Sequence, residues 1–392
     1  MLAYVPAGLM LAGMAAYTVL AGADFGAGLW MLIPFGRATA EETRDHARHA
    51  MGPVWEANHV WLIFVLVVGW TAYPVAFGSL SSTLAVPLLI AAIGIIFRGA
   101  AYALRGLGGR VETLFALSSI LTPFALGTVV GAIALGRVPV GNARGGLISS
   151  WLAPGPVLIG VLAVAFSGYL AAVYLAADSS RLAESSLAAD FRDRALVSGA
   201  VAGGLAVAGL VALRSSLPLT HGLALAMVIV SGCAGVSTLA LCWLWRFGRA
   251  RLTAALAVTA VVIGWAAAQS PRFLPGMTVV QAAAGRSTLI ALIVGVAVGS
   301  VILIPSLILL FSLFLRGRLD EPSSSHPAAP PAAVAGSVPT PTVHPGRAGS
   351  VAIVTLIAGS GLLVFADAGW AQALGVICLV TCAVSAFTVA VG

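Results

Sequence analysis

The chain contains no lysine, and only 8% of its 392 residues are charged, whereas a soluble globular protein carries roughly a quarter. Hydrophobic residues make up 60% of the sequence, more apolar surface than a soluble core of this length can bury. Apolar runs of about 20 residues recur along most of the chain, and each is long enough to cross a bilayer as a helix. These features exclude a soluble fold and predict an all-α integral membrane protein.

Other absences narrow the range of possible functions. The first residues, Met1 to Tyr4, include no basic segment of the kind that opens a cleaved signal peptide, which favours a retained first helix. The four cysteines lie in apolar runs without the spacing of a zinc or redox site, so we expect them to be packing residues. We find no Walker motif, dinucleotide fingerprint or Ser-His-Asp set. The net charge of +7 is interpreted as a topology signal and not as a sign of nucleic-acid binding.

The apolar runs and their breaks predict nine core transmembrane helices. The predicted spans are residues 4–34, 53–79, 82–104, 112–135, 155–177, 195–213, 220–245, 252–268 and 287–315. With the N-terminus placed outside, fifteen of the 20 basic residues fall on one face and five on the other. Because cationic loops are retained in the cytoplasm, this asymmetry predicts an external N-terminus and a ninth helix that ends inside.

A polar, Pro-rich stretch divides the chain after the ninth helix. Residues 1–318 form the predicted core, and residues 319–349 contain too little apolar surface to fold, so they are predicted to be a flexible cytoplasmic linker. Residues 350–392 contain two further apolar runs, 350–366 and 370–391, separated by a short break. They predict an additional C-terminal transmembrane hairpin.

Ionisable side chains within the predicted spans are few, and each is a functional candidate because a charge near the bilayer centre costs at least about 2.5–3.5 kcal/mol. Asp24 lies in a glycine-rich part of helix one, whereas Glu56 and Asn58 lie near the predicted start of helix two. About 20 residues at 1.5 Å each place Asp24 about 30 Å along helix one, towards the cytoplasmic side where helix two begins. Asp24, Glu56 and Asn58 therefore predict a cytoplasmic proton entry path.

Several of these residues have simpler interpretations. Glu56 could only cap the first turn of helix two, where Pro53 suits the first helical position. Arg98 could extend to the membrane interface, or it could pair with Asp24 or Glu56 and hold that acid ionised. His59 could be a haem ligand, because imidazole is a common axial ligand, but a single intramembrane histidine favours a polar interfacial residue.

Two segments resemble the signature segments of subunit II of cytochrome bd-type quinol oxidases. They are residues 22–28, Gly-Ala-Asp-Phe-Gly-Ala-Gly, and residues 52–62, Gly-Pro-Val-Trp-Glu-Ala-Asn-His-Val-Trp-Leu. Later segments agree with the family in order: residues 73–77, 97–102, 127–131, 273–275, 278–284 and 303–305. The similarity covers about residues 1–318. The chain departs from the family at Glu56, Ala57 and His59, where Asp, Gly and commonly Glu are usual, although Glu56 preserves the carboxylate.

The resemblance implies a nine-helix subunit, built as two four-helix bundles plus one helix, in a bacterial cytoplasmic membrane. It would pair with a subunit I that carries two b-type haems, haem d and the quinol-oxidising loop, and the complex would reduce O2 to water with electrons from quinol. Asp24 and Glu56 would line the path by which protons reach the oxygen-reducing haem. The resemblance places no haem on this chain and leaves a structural quinone open.

The C-terminal hairpin has no counterpart in the common members of that family. One hypothesis is that it packs at the edge of the complex like a small single-helix accessory subunit. Two other functions also remain open from the sequence. A proton-coupled secondary transporter would use buried Asp, Glu and Arg, but it predicts inverted repeats with broken helices, which the sequence does not show clearly. A scaffold would stabilise a haem-bearing partner without offering a proton path.

Overall fold

The computed structural model describes residues 1–33, 39–103 and 109–315, together with isolated positions from 351 to 385. Within its helices the side chains of residues 40, 48–57, 102–103, 109–114, 302, 304 and 307–315 lie outside that description. The chain divides into two units, Met1–Arg316 and Gly317–Gly392. The predicted linker and most of the hairpin lie outside the described residues, so both stay predictions.

The first unit is mostly helical. Its helices are α1 (Tyr4–Leu32), α2 (Ala40–Ala72), α3 (Pro74–Thr83), α4 (Ala85–Ala103), α5 (Gly109–Ala134), α6 (Pro154–Arg181), α7 (Ser185–Leu213), α8 (Gly222–Trp243), α9 (Phe247–Gln269), α10 (Val279–Ala282) and α11 (Arg286–Leu315). A short antiparallel hairpin of β1 (Arg272–Leu274) and β2 (Met277–Thr278) connects α9 to α10.

Six helices of the described part, α1 and α5 to α9, are long and apolar enough to cross a membrane, and the bent pair α3–α4 would make a seventh span. Within the described residues, the apolar parts of α2 (Asn58–Ala72) and α11 (Arg286–Val301) are shorter than these six helices. The described chain is therefore a multi-pass membrane protein with six to seven candidate spans, where the sequence predicts nine.

Helix α2 begins at Ala40, well before the predicted residue 53. Its N-cap is Thr39, whose Oγ1 accepts a hydrogen bond from the Glu42 N–H at 3.2 Å, while Glu42 Oε2 accepts one from the Thr39 N–H at 2.8 Å. This reciprocal capping box fixes a helix start. The predicted break between the first two spans, residues 35–52, is therefore not all loop, because α2 already includes residues 40–52. The assignment of Glu56 to the first turn, with Pro53 at its first position, is wrong for the same reason.

The second predicted span is also interrupted, because α2 ends at Ala72 and Pro74 begins the separate helix α3. Proline has no N–H and clashes with the preceding turn, so it suits the first position of a new helix better than the interior of an existing one. Helices α3 and α4 then meet at an angle of 82°. The prediction of one continuous helix over residues 53–79 is therefore corrected to two helices.

Helix α1 occupies the middle of the first unit and packs against α2, α5, α6 and α9. Its contact with α6 is close because small residues face each other. A Cβ added at Gly26 would overlap the backbone carbonyl of Ser167, and one added at Gly22 would come 2.8 Å from a Leu170 methyl carbon. Such glycine contacts let helix backbones approach in a membrane, and they fix the depth at which α1 presents its polar residues.

Candidate functional site

A buried ion pair joins α1 to α4. The residues Asp24 and Arg98 are both 0% exposed. The Nη2 atom of Arg98 lies 2.7 Å from Asp24 Oδ1, and its Nε donates a hydrogen bond to Asp24 Oδ2 at 2.9 Å. Nη2 also donates to the main-chain carbonyl of Asp24. This contact is bidentate and uses the planar guanidinium group that distinguishes arginine from lysine. Arg98 is therefore paired with Asp24 and does not extend to the membrane interface.

Two more helices complete the cluster around this pair. Asn58 of α2 donates a hydrogen bond from Nδ2 to Asp24 Oδ2 at 3.2 Å. Ser119 of α5 accepts one from Arg98 Nη1 at 2.8 Å. We refer to Asp24, Asn58, Arg98 and Ser119 as the central polar cluster. All four residues are buried, so α1, α2, α4 and α5 converge on a polar site inside an otherwise apolar bundle.

Aromatic rings cover the remaining surface of the guanidinium. The Arg98 Cζ atom lies 4.1 Å from the ring centroid of Phe115 and 4.9 Å from that of Phe25. The faces of aromatic rings attract cations, and the attraction is larger when water is excluded. Charge and apolar packing therefore act together, and removing one member of the ion pair would leave an uncompensated charge in a dry site.

The cluster also contains polar atoms that the described side chains leave unpaired. The Oδ1 atom of Asn58 and the hydroxyl of Tyr17 are buried and have no hydrogen-bond partner among the described residues. Tyr17 precedes Asp24 on α1 by two helical turns, so both lie on the same face of the helix. Because buried polar groups are nearly always hydrogen-bonded, these two atoms mark positions suited to water or to another polar group.

The contacts of the central polar cluster do not test the predicted roles of two residues, Glu56 and His59. Position 56 belongs to α2, but the side chain of Glu56 lies outside the described residues. His59 directly follows Asn58 and is partly exposed. Its proposed role as a haem ligand stays a hypothesis.

Sequence reasoning missed a second polar cluster at the start of α2. The Nε2 atom of His46 lies 2.9 Å from Ser179 Oγ and 3.9 Å from Asp178 Oδ2, and Nδ1 lies 3.1 Å from Glu184 Oε2. Residues 43, 46 and 47 are all buried. Their spacing of three and four residues is typical of one buried helical face, and it would have revealed His46 once α2 was extended towards Thr39.

A third charged pair lies on α7, where Asp190 and Arg194 are 4% and 2% exposed. Their separation of four residues lets the two side chains meet on the helix surface. The Arg194 guanidinium also lies over the rings of Phe191, at 4.8 Å, and Trp30, at 5.5 Å. This pair therefore links α7 to α1 through aromatic contacts.

The described residues include no cluster of metal-ligating side chains. No group of three or more His, Cys, Asp or Glu residues in that part of the chain could hold a metal ion. Cys242 is buried and Cys233 is exposed, and neither forms a disulfide. We therefore derive no chemical step through a haem bound to this subunit.

Fold and site together define a multi-pass α-helical membrane protein in which four helices enclose a buried, charged polar cluster. The family model for cytochrome bd terminal oxidase subunit II matches residues 2–314. The chain belongs to that family, which confirms the resemblance in the signature segments and makes it part of a haem-containing oxidoreductase complex. A comparison with curated proteins gives no match.

The fold agrees with a solved structure. A chain in the structure of bd oxidase from Geobacillus thermodenitrificans is similar to this one with a TM-score of 0.61 and 24% sequence identity. The similar region covers 80% of this chain and 99% of that chain.

Proposed function

We propose that this chain is the haem-free second subunit of a cytochrome bd-type quinol oxidase in a bacterial cytoplasmic membrane. It assembles with a haem-bearing subunit I, and the complex reduces O2 to water with electrons from quinol. Haems b and d belong to subunit I, where the redox chemistry takes place. The observation that carries the proposal for this subunit is the Asp24–Arg98 pair, hydrogen-bonded to Asn58 inside the bundle.

The depth of this cluster supports a path from the cytoplasm. Asp24 precedes the end of α1 at Leu32 by about 12 Å of helix at 1.5 Å per residue. Asn58 contacts Asp24 and therefore lies at the same level of the bundle. Glu56 precedes Asn58 on α2, on the side of the helix start, which the arginine distribution assigns to the cytoplasm. We infer that protons pass from the region of Glu56, through water held at Asn58 Oδ1, and then towards the partner subunit.

Different roles follow from the contacts. Both oxygens of the Asp24 carboxylate are engaged by Arg98, so Asp24 serves as a fixed negative charge that orients Asn58 and attracts protons to the cluster. The Asn58 amide donates to Asp24 and keeps Oδ1 as an acceptor. A residue with one donor engaged and one acceptor available can link a hydrogen-bonded chain. Glu56 supplies the carboxylate that gains and loses the proton.

A proton-coupled transporter remains the second candidate because of one specific observation. The 82° bend between α3 and α4 is the kind of broken helix that transporters use at their binding sites. Family membership favours the oxidase, because it accounts for the signature segments as well as for the buried charges. A scaffold without a proton path is a third candidate. The variants described below separate it from an oxidase subunit that contributes to the proton path.

The function is tested by purifying the complex through an affinity tag on this chain and recording its visible spectrum. We expect haem b and haem d absorption together with quinol-dependent O2 consumption. Recovery of the folded chain alone, colourless and without a partner, would contradict the oxidase proposal and favour transport.

Replacing Glu56 by Gln is expected to lower quinol oxidase turnover by about tenfold or more, because the amide cannot accept and release a proton in the manner of a carboxylate. The measurement is O2 consumption per haem d in the purified complex, so that losses in assembly do not count as losses in turnover. The control is Glu56→Asp, which restores the residue usual in the family and should stay within about threefold of the parent. If Glu56→Gln turns over as fast as Glu56→Asp and the parent, Glu56 is not part of the proton path.

A further inference from the structure

An open cavity of about 530 Å³ lies where α6 ends and α9 begins. Its lining includes Arg181 at the end of α6 and Arg246 and Arg249 at the start of α9. All three arginines are exposed. The cavity shares no residue with the central polar cluster.

The charge of this cavity is strongly positive. Within the described part of the chain, none of its three arginines forms an ion pair with a carboxylate. The nearest acid along α6 is Asp178, whose carboxylate lies 3.9 Å from His46 Nε2. Three uncompensated cations around one cavity therefore favour an anionic occupant.

The backbone adds a second feature that suits an anion. Phe247 and Gly248 form the first turn of α9 and line the cavity. No side chain caps this helix start, and a Cβ at Gly248 would meet no atom within 4 Å, so the space beside Gly248 is open. Backbone N–H groups at a helix start carry partial positive charge and bind phosphate groups readily.

The surroundings distinguish a lipid from a free anion. Trp243, Leu244 and Leu252 are 64%, 62% and 72% exposed, so large apolar side chains lie uncovered by this chain near the cavity. Tryptophan is enriched at the membrane–water interface. The Arg192 guanidinium lies 4.8 Å from the ring centroid of Trp243 and 5.3 Å from that of Trp245, which holds these rings beside the cavity.

We propose that this cavity binds the phosphate headgroup of an anionic phospholipid whose acyl chains lie against the exposed tryptophan and leucine side chains. The phosphate contacts Arg246, Arg249 and the first amides of α9, and Arg181 closes the opposite wall. The positive-inside rule places these arginines in the cytoplasmic leaflet. A free anion would use the arginines but gain nothing from the apolar rim.

The proposal is tested by native mass spectrometry of the intact oxidase complex in detergent, titrated with phosphatidylglycerol or with phosphatidylcholine. The parent complex is expected to retain phosphatidylglycerol in preference. In the double variant Arg246→Gln/Arg249→Gln, affinity for phosphatidylglycerol should fall by about thirtyfold, since each arginine near the lipid surface contributes about a factor of five. Affinity for phosphatidylcholine should be unchanged.

Two matched variants keep this test specific. Arg144→Gln/Arg214→Gln removes the same number of exposed charges outside the cavity and should stay within about twofold of the parent. Arg246→Lys/Arg249→Lys keeps the charge and should retain most of the affinity, which shows that the protein is folded. Parent-like binding in the first double variant would overturn the proposal. Displacement of the lipid by inorganic phosphate at equal concentration would also overturn it. So would a double variant that loses subunit I but still binds the lipid.

Discussion

The Asp24→Asn variant is expected to assemble poorly, and the complex that does form is expected to turn over quinol at least about a hundredfold more slowly than the parent. The substitution leaves the Arg98 guanidinium buried without its counter-charge, and breaking a buried pair in this way costs about 3–5 kcal/mol. It also removes the fixed negative charge that we place beside Asn58. The measurements are the yield of haem-loaded complex and the O2 consumption per haem d.

The double variant Asp24→Asn/Arg98→Gln separates these two effects. It removes both charges, so no uncompensated ion remains in the bundle and assembly should recover in large part. Turnover should stay low, because the negative charge on the path is still missing. If the double variant recovers turnover together with assembly, the pair is structural and the scaffold reading is correct. Asp193→Asn is the matched control, because this exposed carboxylate pairs with Arg192 at 3.4 Å and should contribute little.

The central polar cluster stabilises the bundle at the place where we propose the proton path. An isolated charge would be expensive at this depth, but Asp24 and Arg98 compensate each other and Ser119 and Asn58 take up further hydrogen-bonding groups. The same contacts connect four helices, so a substitution in the cluster should lower the stability of the whole bundle. The buried Oδ1 atom of Asn58 has no hydrogen-bond partner among the described residues, so it can accept a hydrogen bond from a water molecule in the path that we propose.

The sequence predicted part of this site because charge inside an apolar span is rare. Asp24 and Arg98 could be singled out for that reason alone. The depth argument grouped Asp24 with Glu56 and Asn58, but it assumed that helix two begins near residue 53, whereas α2 begins at Ala40, and the contact of Asn58 with Asp24 comes from the structure. The sequence did not decide between an interfacial and a paired Arg98, since that choice depends on how α4 packs against α1. The structure decides it through the contacts of the guanidinium.

Other features escaped prediction for identifiable physical reasons. The polar composition between residues 35 and 52 placed the start of helix two at residue 53, although the capping box of Thr39 and Glu42 was present in the sequence and marks a helix start. The His46 cluster depends on Ser179 and Glu184, which are more than 130 residues away, and no local pattern can give such a contact. The break between α2 and α3 at Tyr73 was missed because the residues on both sides of it are mostly apolar. The break after α3, at Leu84, lies close to the predicted boundary at residues 80–81.

Replacing Gly26 by Ala is expected to abolish most of the assembled complex. A Cβ at this position would overlap the Ser167 carbonyl and lie 2.7 Å from the Ala171 Cβ. Neither the backbone of α6 nor an alanine can move aside as a flexible side chain would. Overpacking of a tight contact commonly costs about 1–3 kcal/mol and sometimes more. Here it would also separate α1 from α6 next to Asp24, so the yield of haem-loaded complex and its thermal midpoint should both fall.

Two glycines on the same helix provide graded controls for this effect. Gly8 has no atom within 4 Å of an added Cβ, so Gly8→Ala should leave assembly and turnover unchanged. At Gly28 the added Cβ would meet the Ser119 hydroxyl, which can rotate away at the expense of its hydrogen bond with Arg98. Gly28→Ala should therefore assemble with a moderate loss of stability. The order Gly8, Gly28, Gly26 follows the rigidity of the obstructing atoms, and equal effects at all three positions would show that general helix propensity, and not the approach of α1 to α6, is responsible.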